Sequence, residues 1–193
     1  MKKIEQIHLF LVVLGGRVSK ANVELHDVRW VIGAKIEDTF DALRRDWFGN
    51  LEGLHIDSYK KINYVDGYKI NIKNTQNKKL KKNKTFIGHN KKNLWFVNIG
   101  GYDPSSMQEK HEFGLVVASS SSEAKNKAKS KWLNGCKQKH KDDIYSIQNL
   151  VSIDDCELIK KIDNWEIELF LEENCIEDTN YPDWYGYKRI DRI

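Results

Sequence analysis

The chain of 193 residues carries 32 basic and 28 acidic side chains, a net charge of +4, with 40% apolar and 11% aromatic content. A chain of that length buries about 70% of its unfolded surface without a metal or disulfide staple, and the composition excludes a disordered or proline-rich protein. Three widely spaced cysteines, Cys136, Cys156 and Cys175, form no CxxC pair and no zinc cluster, which fits a reducing compartment rather than a disulfide framework.

In chain order, Lys2 and Lys3 lead into an apolar run at 9–14. The run is too short to cross a membrane and is matched mid-chain at 94–99, so it reads as a strand rather than a signal peptide. Gly15-Gly16 is expected to end that strand. His26 to Ile32 reads as a second strand, with Val28, Trp30 and Ile32 on one face. The period then changes. Ile36, Phe40, Leu43 and Trp47 fall at i, i+4, i+7 and i+11, one stripe of an amphipathic helix. Acids lie early in this segment, Arg44 and Arg45 late, and Gly49 just beyond its end, as helix ends favour. His55 and Asp57 follow in what reads as a loop, and Asp66-Gly67 marks a type I′ hairpin over 62–72.

The same order then returns. LFLVVLGG at 9–16 reappears as LWFVNIGG at 94–101, a shift of 85 residues. At that shift Glu24 meets Glu109, His26 meets His111, Trp47 meets Trp132, His55 meets His140 and Asp57 meets Asp142. An ungapped register over 49 positions indicates a tandem duplication. Ser120-x-x-Glu123 is a capping box, Ala124, Ala128 and Trp132 continue the helical stripe, and Asp163-Asn164 takes the hairpin turn. From Tyr59 onward the offset becomes 97, which implies a 12-residue insertion after Asp142.

The expected fold class is α+β: two tandem ββαββ repeats, at 9–73 and 94–170, each an antiparallel sheet covered by one helix and related by approximate two-fold symmetry. A Lys/Asn-rich connector fills 74–93, and an aromatic tail fills 171–193. Trp30, Phe40, Leu43, Trp47, Phe113, Leu115 and Trp132 are the expected core, with more strand than helix. The tail's Tyr181, Pro182, Trp184, Tyr185 and Tyr187 are expected to pack back on the repeats, a partner-binding segment being the alternative.

The strings LGGR, ELHDVRWVIG, IEDTFDALRRDWFG, GLHIDSY, VNIGGYDP, HEFGLVVAS and HKDD resemble the bacterial domain-of-unknown-function family 1543. The resemblance covers roughly 9–170 and implies one or two copies of a domain of this size. It implies no activity, so no catalytic residues carry over.

Two sets of residues could carry chemistry. Glu24, His26, His55 and Asp57, with Glu109, His111, His140 and Asp142, are the raw material of a general base or a metal site. The competing reading is structural, with histidines at strand ends and loop carboxylates bonded to backbone. Lys78, Lys79, Lys81, Lys82 and Lys84 in the connector, with Lys125, Lys127, Lys129 and Lys131, could bind phosphates. Lysine at every second helical position winds around the helix, however, and a solvated tether explains the connector. No HExxH, GxSxG, Walker or GxGxxG pattern is present, so no enzyme class and no cofactor is indicated. The expectation is a non-enzymatic cytoplasmic binding or adaptor protein with an unidentified protein partner and no membrane association. Nonspecific nucleic-acid binding and a small metal-dependent or acid–base enzyme are the alternatives.

Overall fold

The structure is a computed structural model, and it describes residues 6–76, 92–102, 105–132, 152–172 and 181–192. The first copy runs β1 (His8–Gly16), β2 (Leu25–Gly33), a 3-10 turn (Ile36–Thr39) leading into α1 (Phe40–Asp46), then β3 (His55–Ile62), β4 (Tyr64–Val65) and β5 (Tyr68–Asn74). The second runs β6 (Asn93–Gly101), β7 (Lys110–Ala118), α2 (Ser121–Lys131), β8 (Ser152–Ile159), β9 (Lys161–Ile162) and β10 (Trp165–Leu171). A last strand, β11 (Trp184–Arg189), follows the second copy. The fold is thus mixed α+β, with antiparallel pairing throughout the described strands and only two α-helices among the described residues.

The simple ββαββ pattern needs correction. His55 to Lys61, expected as loop, belong to β3, which pairs with β1 and gives each copy a third sheet strand. The terminal hairpins do not complete their own copies' sheets. They form a separate four-stranded sheet, β4-β5-β10-β9, in which the first copy's hairpin pairs with the second's. The register there is self-equivalent: Asn71 faces Glu168, its duplicate at offset 97, and Ile70 faces Leu169 as Ile72 faces Ile167. The Asn71 amide donates to the Glu168 carboxylate at 3.1 Å. Asp66 (φ 52°), Gly67 (φ 80°) and Asp163 (φ 47°) take the left-handed conformations that tight hairpins demand.

Compact units therefore cut the chain differently from the sequence copies. One unit comprises Met1–Asn77 and Lys161–Ile193; the other is Lys78–Lys160. In the first, the sheet β11-β3-β1-β2 turns Phe10, Val12, Leu14, Val31 and Ile56 toward Ile36, Leu43 and Trp47. Ile190, just past β11, is buried in that core. The expected helix stripe is present, although its first turn is 3-10 and Phe40 is only partly buried. On β2 the buried residue is Val31, while Val28, Trp30 and Ile32 lie half-buried with the opposite parity.

In the second unit the sheet β7-β6-β8 packs Val97, Ile99, Val116 and Ala118 on Ala124 and Ala128 of α2, with Trp132 at the edge. Phe113 and Leu115 again have the half-buried parity. The capping box forms: the Ser120 hydroxyl accepts from the Glu123 amide, and the Glu123 carboxylate reaches back to the Ser119 amide. The tail also takes a definite position. β11 adds to the outer edge of β3, and the Trp184 ring stacks on Tyr59 with centroids 5.8 Å apart.

Candidate functional site: a histidine–carboxylate cluster over Gly15

Three neighbouring strands build the site. Gly15 on β1 faces His26 of β2 on one side and His55 of β3 on the other. Across a spacing of about 4.8 Å per strand, two imidazoles on the same face can meet above the central residue only if that residue has no side chain. Here a Cβ on Gly15 would lie 2.5 Å from His55 Nε2 and 2.9 Å from Asp57 Oδ2. Gly15-Gly16 does end β1, as expected, and Gly15 also serves as the floor of the cluster. Gly16 makes similar room for Trp47 beneath α1, with a Cβ falling 2.9 Å from the indole.

The carboxylates arrive by two local devices. Glu24 precedes His26 by two residues and so shares its face. Asp57 sits at a β-bulge: Ser58 faces Val13 and Ile56 faces Leu14, leaving Asp57 as the extra residue. A bulge re-aims the side chain it carries. Asp57 Oδ1 lies 3.1 Å from His55 Nε2, and its Oδ2 lies 3.2 Å from His26 Nε2. Glu24 Oε1 lies 3.4 Å from His55 Nε2 and 3.6 Å from His26 Nε2. The cluster grades from inside to outside, His55 being 1% exposed and His26 56%.

The protons on His55 can be assigned from its partners. Its Nδ1 lies 2.8 Å from the Gly53 carbonyl, which can only accept, so Nδ1 carries a proton. A neutral ring then turns the bare lone pair of Nε2 toward two carboxylates. That arrangement is repulsive unless a cation lies between them, either a proton on Nε2 or a metal ion. A tetrahedral ion bonded at about 2.0–2.1 Å spaces its ligand atoms about 3.3–3.4 Å apart. The four contacts here run from 3.1 to 3.6 Å. Among the described residues no group of three or more His, Cys, Asp or Glu side chains is placed as it stands to hold a metal ion. In this cluster the donor atoms lie against one another as ion pairs.

The tail adds two contacts, of which the sequence foresaw only that Tyr187 packs back on the repeats. The Tyr187 ring of β11 lies on His55 with centroids 4.0 Å apart. The Asp191 carboxylate accepts from the Gly53 amide at 2.8 Å.

Among the described residues, the second copy differs at the register position of His55. Glu109 and His111 do approach, at 3.5 Å, but Gly100 faces Ser152 where Gly15 faces His55. The bulge recurs too, with Asn98 facing Asp155 and Ile99 facing Ile153. Offset 97 thus already holds at the start of β8, and the register counterparts of His55 and Asp57 are Ser152 and Asp154 rather than His140 and Asp142. The insertion precedes residue 152. His140 and Asp142 lie outside the described residues, as do Lys78, Lys79, Lys81, Lys82 and Lys84.

On α2, Lys127 donates to the Val117 carbonyl at 2.6 Å and is turned into the fold rather than outward. Lys125 and Lys131 are exposed and Lys129 half-buried, so the lysines of α2 form no single outward row. No described helix is long and apolar enough to cross a membrane.

Comparison with known proteins agrees with the duplication. No curated protein matches the chain. The crystal structure of protein Il1583 from Idiomarina loihiensis is similar over 96% of this chain and 98% of its own, with a TM-score of 0.66 and 30% sequence identity. The family model described as Domain of Unknown Function (DUF1543) matches twice, at 21–72 and 106–156, the first span holding Glu24, His26, His55 and Asp57. With two matches that take in more than half of its residues, the chain belongs to the DUF1543 family and carries that domain in duplicate.

Proposed function

We propose that the protein is a binding protein whose ligand is a divalent transition-metal ion, of the zinc class, held in the first copy by His26, His55, Asp57 and Glu24. One observation carries the reading: His55 is almost fully buried, its Nδ1 is fixed on the Gly53 carbonyl, and its Nε2 faces two carboxylates. Two imidazoles with two carboxylates suit zinc and its neighbours better than calcium or magnesium, which prefer oxygen alone. The exposed face of His26 is the open side, where a metal could exchange or take a further ligand.

The test is calorimetric titration of metal-free protein with zinc, paired with cobalt absorption spectroscopy. The expected result is one ion per chain, a tetrahedral cobalt spectrum, and loss of both in His55→Gln and Asp57→Asn. Binding that persists unchanged in those variants, or no binding with zinc in large excess, would overturn the proposal and leave a proton as the shared cation.

A further inference from the structure

We infer that the C-terminal strand is a working part of this site, with Tyr187 and Asp191 as positioning residues that fix the tautomer and aim of His55. The functional consequence rests on the metal-binding reading above; the positioning itself does not.

Three contacts converge. Arg189 faces His55 directly in the β11–β3 pairing, so the tail runs alongside the residue it serves. The pairing register shifts between Tyr185 and Lys188, which leaves Gly186 and Tyr187 out of step with β3. Gly186 (φ +152°) supplies the backbone conformation this needs, and the Tyr187 ring meets His55 at a tilt of 33°. Beyond the strand, Ile190 donates its amide to the Leu54 carbonyl at 2.9 Å and is buried under α1, where Arg44 binds its carbonyl. Those two bonds to the Ile190 backbone, rather than its side chain, bring Asp191 against Gly53.

The relay to the site is then short. Asp191 takes the Gly53 amide, and Gly53 presents its carbonyl to His55 Nδ1. Gly53 holds a positive φ of 81° with open space around its α-carbon, so its own surroundings do not fix the carbonyl's direction. Asp191 and the short turn that closes on Leu51 fix it. Arg189 pairs with Asp191 and keeps its carboxyl well below the usual carboxylate range, so it remains an acceptor at neutral pH. Outer partners of this kind choose which imidazole nitrogen carries the proton and which presents a lone pair.

The experiment is long-range 1H–15N NMR of the histidine side chains in the metal-free full chain, with zinc affinity measured in parallel. Wild type should show His55 protonated at Nδ1. Asp191→Ala should loosen the Nδ1–H bond to Gly53, speeding exchange of that proton with solvent, and weaken zinc about ten-fold, the low end of the cost of losing an outer partner. Asp191→Asn keeps an acceptor for Gly53 and should restore most of both. Tyr187→Phe should match wild type, and Tyr187→Ala should broaden the His55 signals.

Ile190→Ala separates positioning from general loosening. It should lower the melting temperature while leaving the His55 signature in place. A wild-type signature in both Asp191→Ala and Tyr187→Ala, or an equal change in Ile190→Ala, would overturn the inference. A wild type that binds no zinc yet loses its His55 signature on Asp191→Ala would overturn the metal reading alone.

Discussion

Replacing Gly15 by alanine adds one methyl group where the structure has no space for it. The new Cβ would stand 2.5 Å from His55 Nε2, 3.0 Å from His55 Cε1 and 2.9 Å from Asp57 Oδ2. His55 is buried and tied at Nδ1, so it cannot swing clear without breaking its bond to Gly53. Inserting a methyl group into a filled site costs about 1–3 kcal/mol. The control is Gly67→Ala in the first hairpin turn. Its φ is +80° and nothing lies within 4 Å, so only backbone strain of about 1–2 kcal/mol is added there. The two variants should therefore unfold at comparable urea concentrations, both below wild type, while only Gly15→Ala loses zinc binding and the tetrahedral cobalt spectrum. Urea melts followed by circular dichroism, with cobalt titration of each variant, read both quantities. Wild-type zinc affinity in a folded Gly15→Ala protein, or loss of affinity in Gly67→Ala, would refute the steric reasoning.

Other expectations follow from the same geometry. Ser152→His places an imidazole at the register counterpart of His55 and should raise bound zinc from one to two ions per chain by elemental analysis; a folded variant still at one ion would break the equivalence. Leu43→Ala empties a fully buried position under the first sheet and should cost about 2–5 kcal/mol in urea unfolding. Lys92, with the bonds from Ser119, holds the Glu123 carboxyl down to about 2 from an ordinary 4.5. A depressed carboxyl stabilises the fold above its unfolded value, and that contribution drains away as pH falls through the folded one. The stability difference between wild type and Glu123→Gln should thus be constant above about pH 4.5 and vanish by about pH 2.

Element types were legible wherever one physical signal ruled alone. The helix stripe of Ile36, Leu43 and Trp47 and the Asp66-Gly67 turn needed only periodicity and backbone sterics. The third strand was hidden because the bulge at Asp57 breaks the period-two alternation by which a strand is recognised. The buried face of β2 was hidden because apolar residues occur at both parities, and only packing against α1 selects Val31. Glu24, His26, His55 and Asp57 were named from residue type and repetition, and these four do meet. His140 and Asp142, the other half of the repetition argument, lie outside the described residues, and the register of β8 sets Ser152 opposite Gly100. Tyr187 and Asp191 lie more than 130 positions from His55, and no local pattern signals so distant a pairing.

The self-equivalent pairing of β5 with β10 has a consequence for how the duplicated chain can change. An element that binds its own duplicate in a symmetric register has the bonding of an isologous dimer. Free subunits would make that bond only at sufficient protein concentration, and any substitution would appear on both sides at once. Joined in one chain, the two hairpins meet at an effective concentration set by the linking residues, whatever the dilution. Each half is also released from having to match the other. Histidine at 55 against serine at 152, at equivalent places in the strand register, is a difference of the kind that freedom allows.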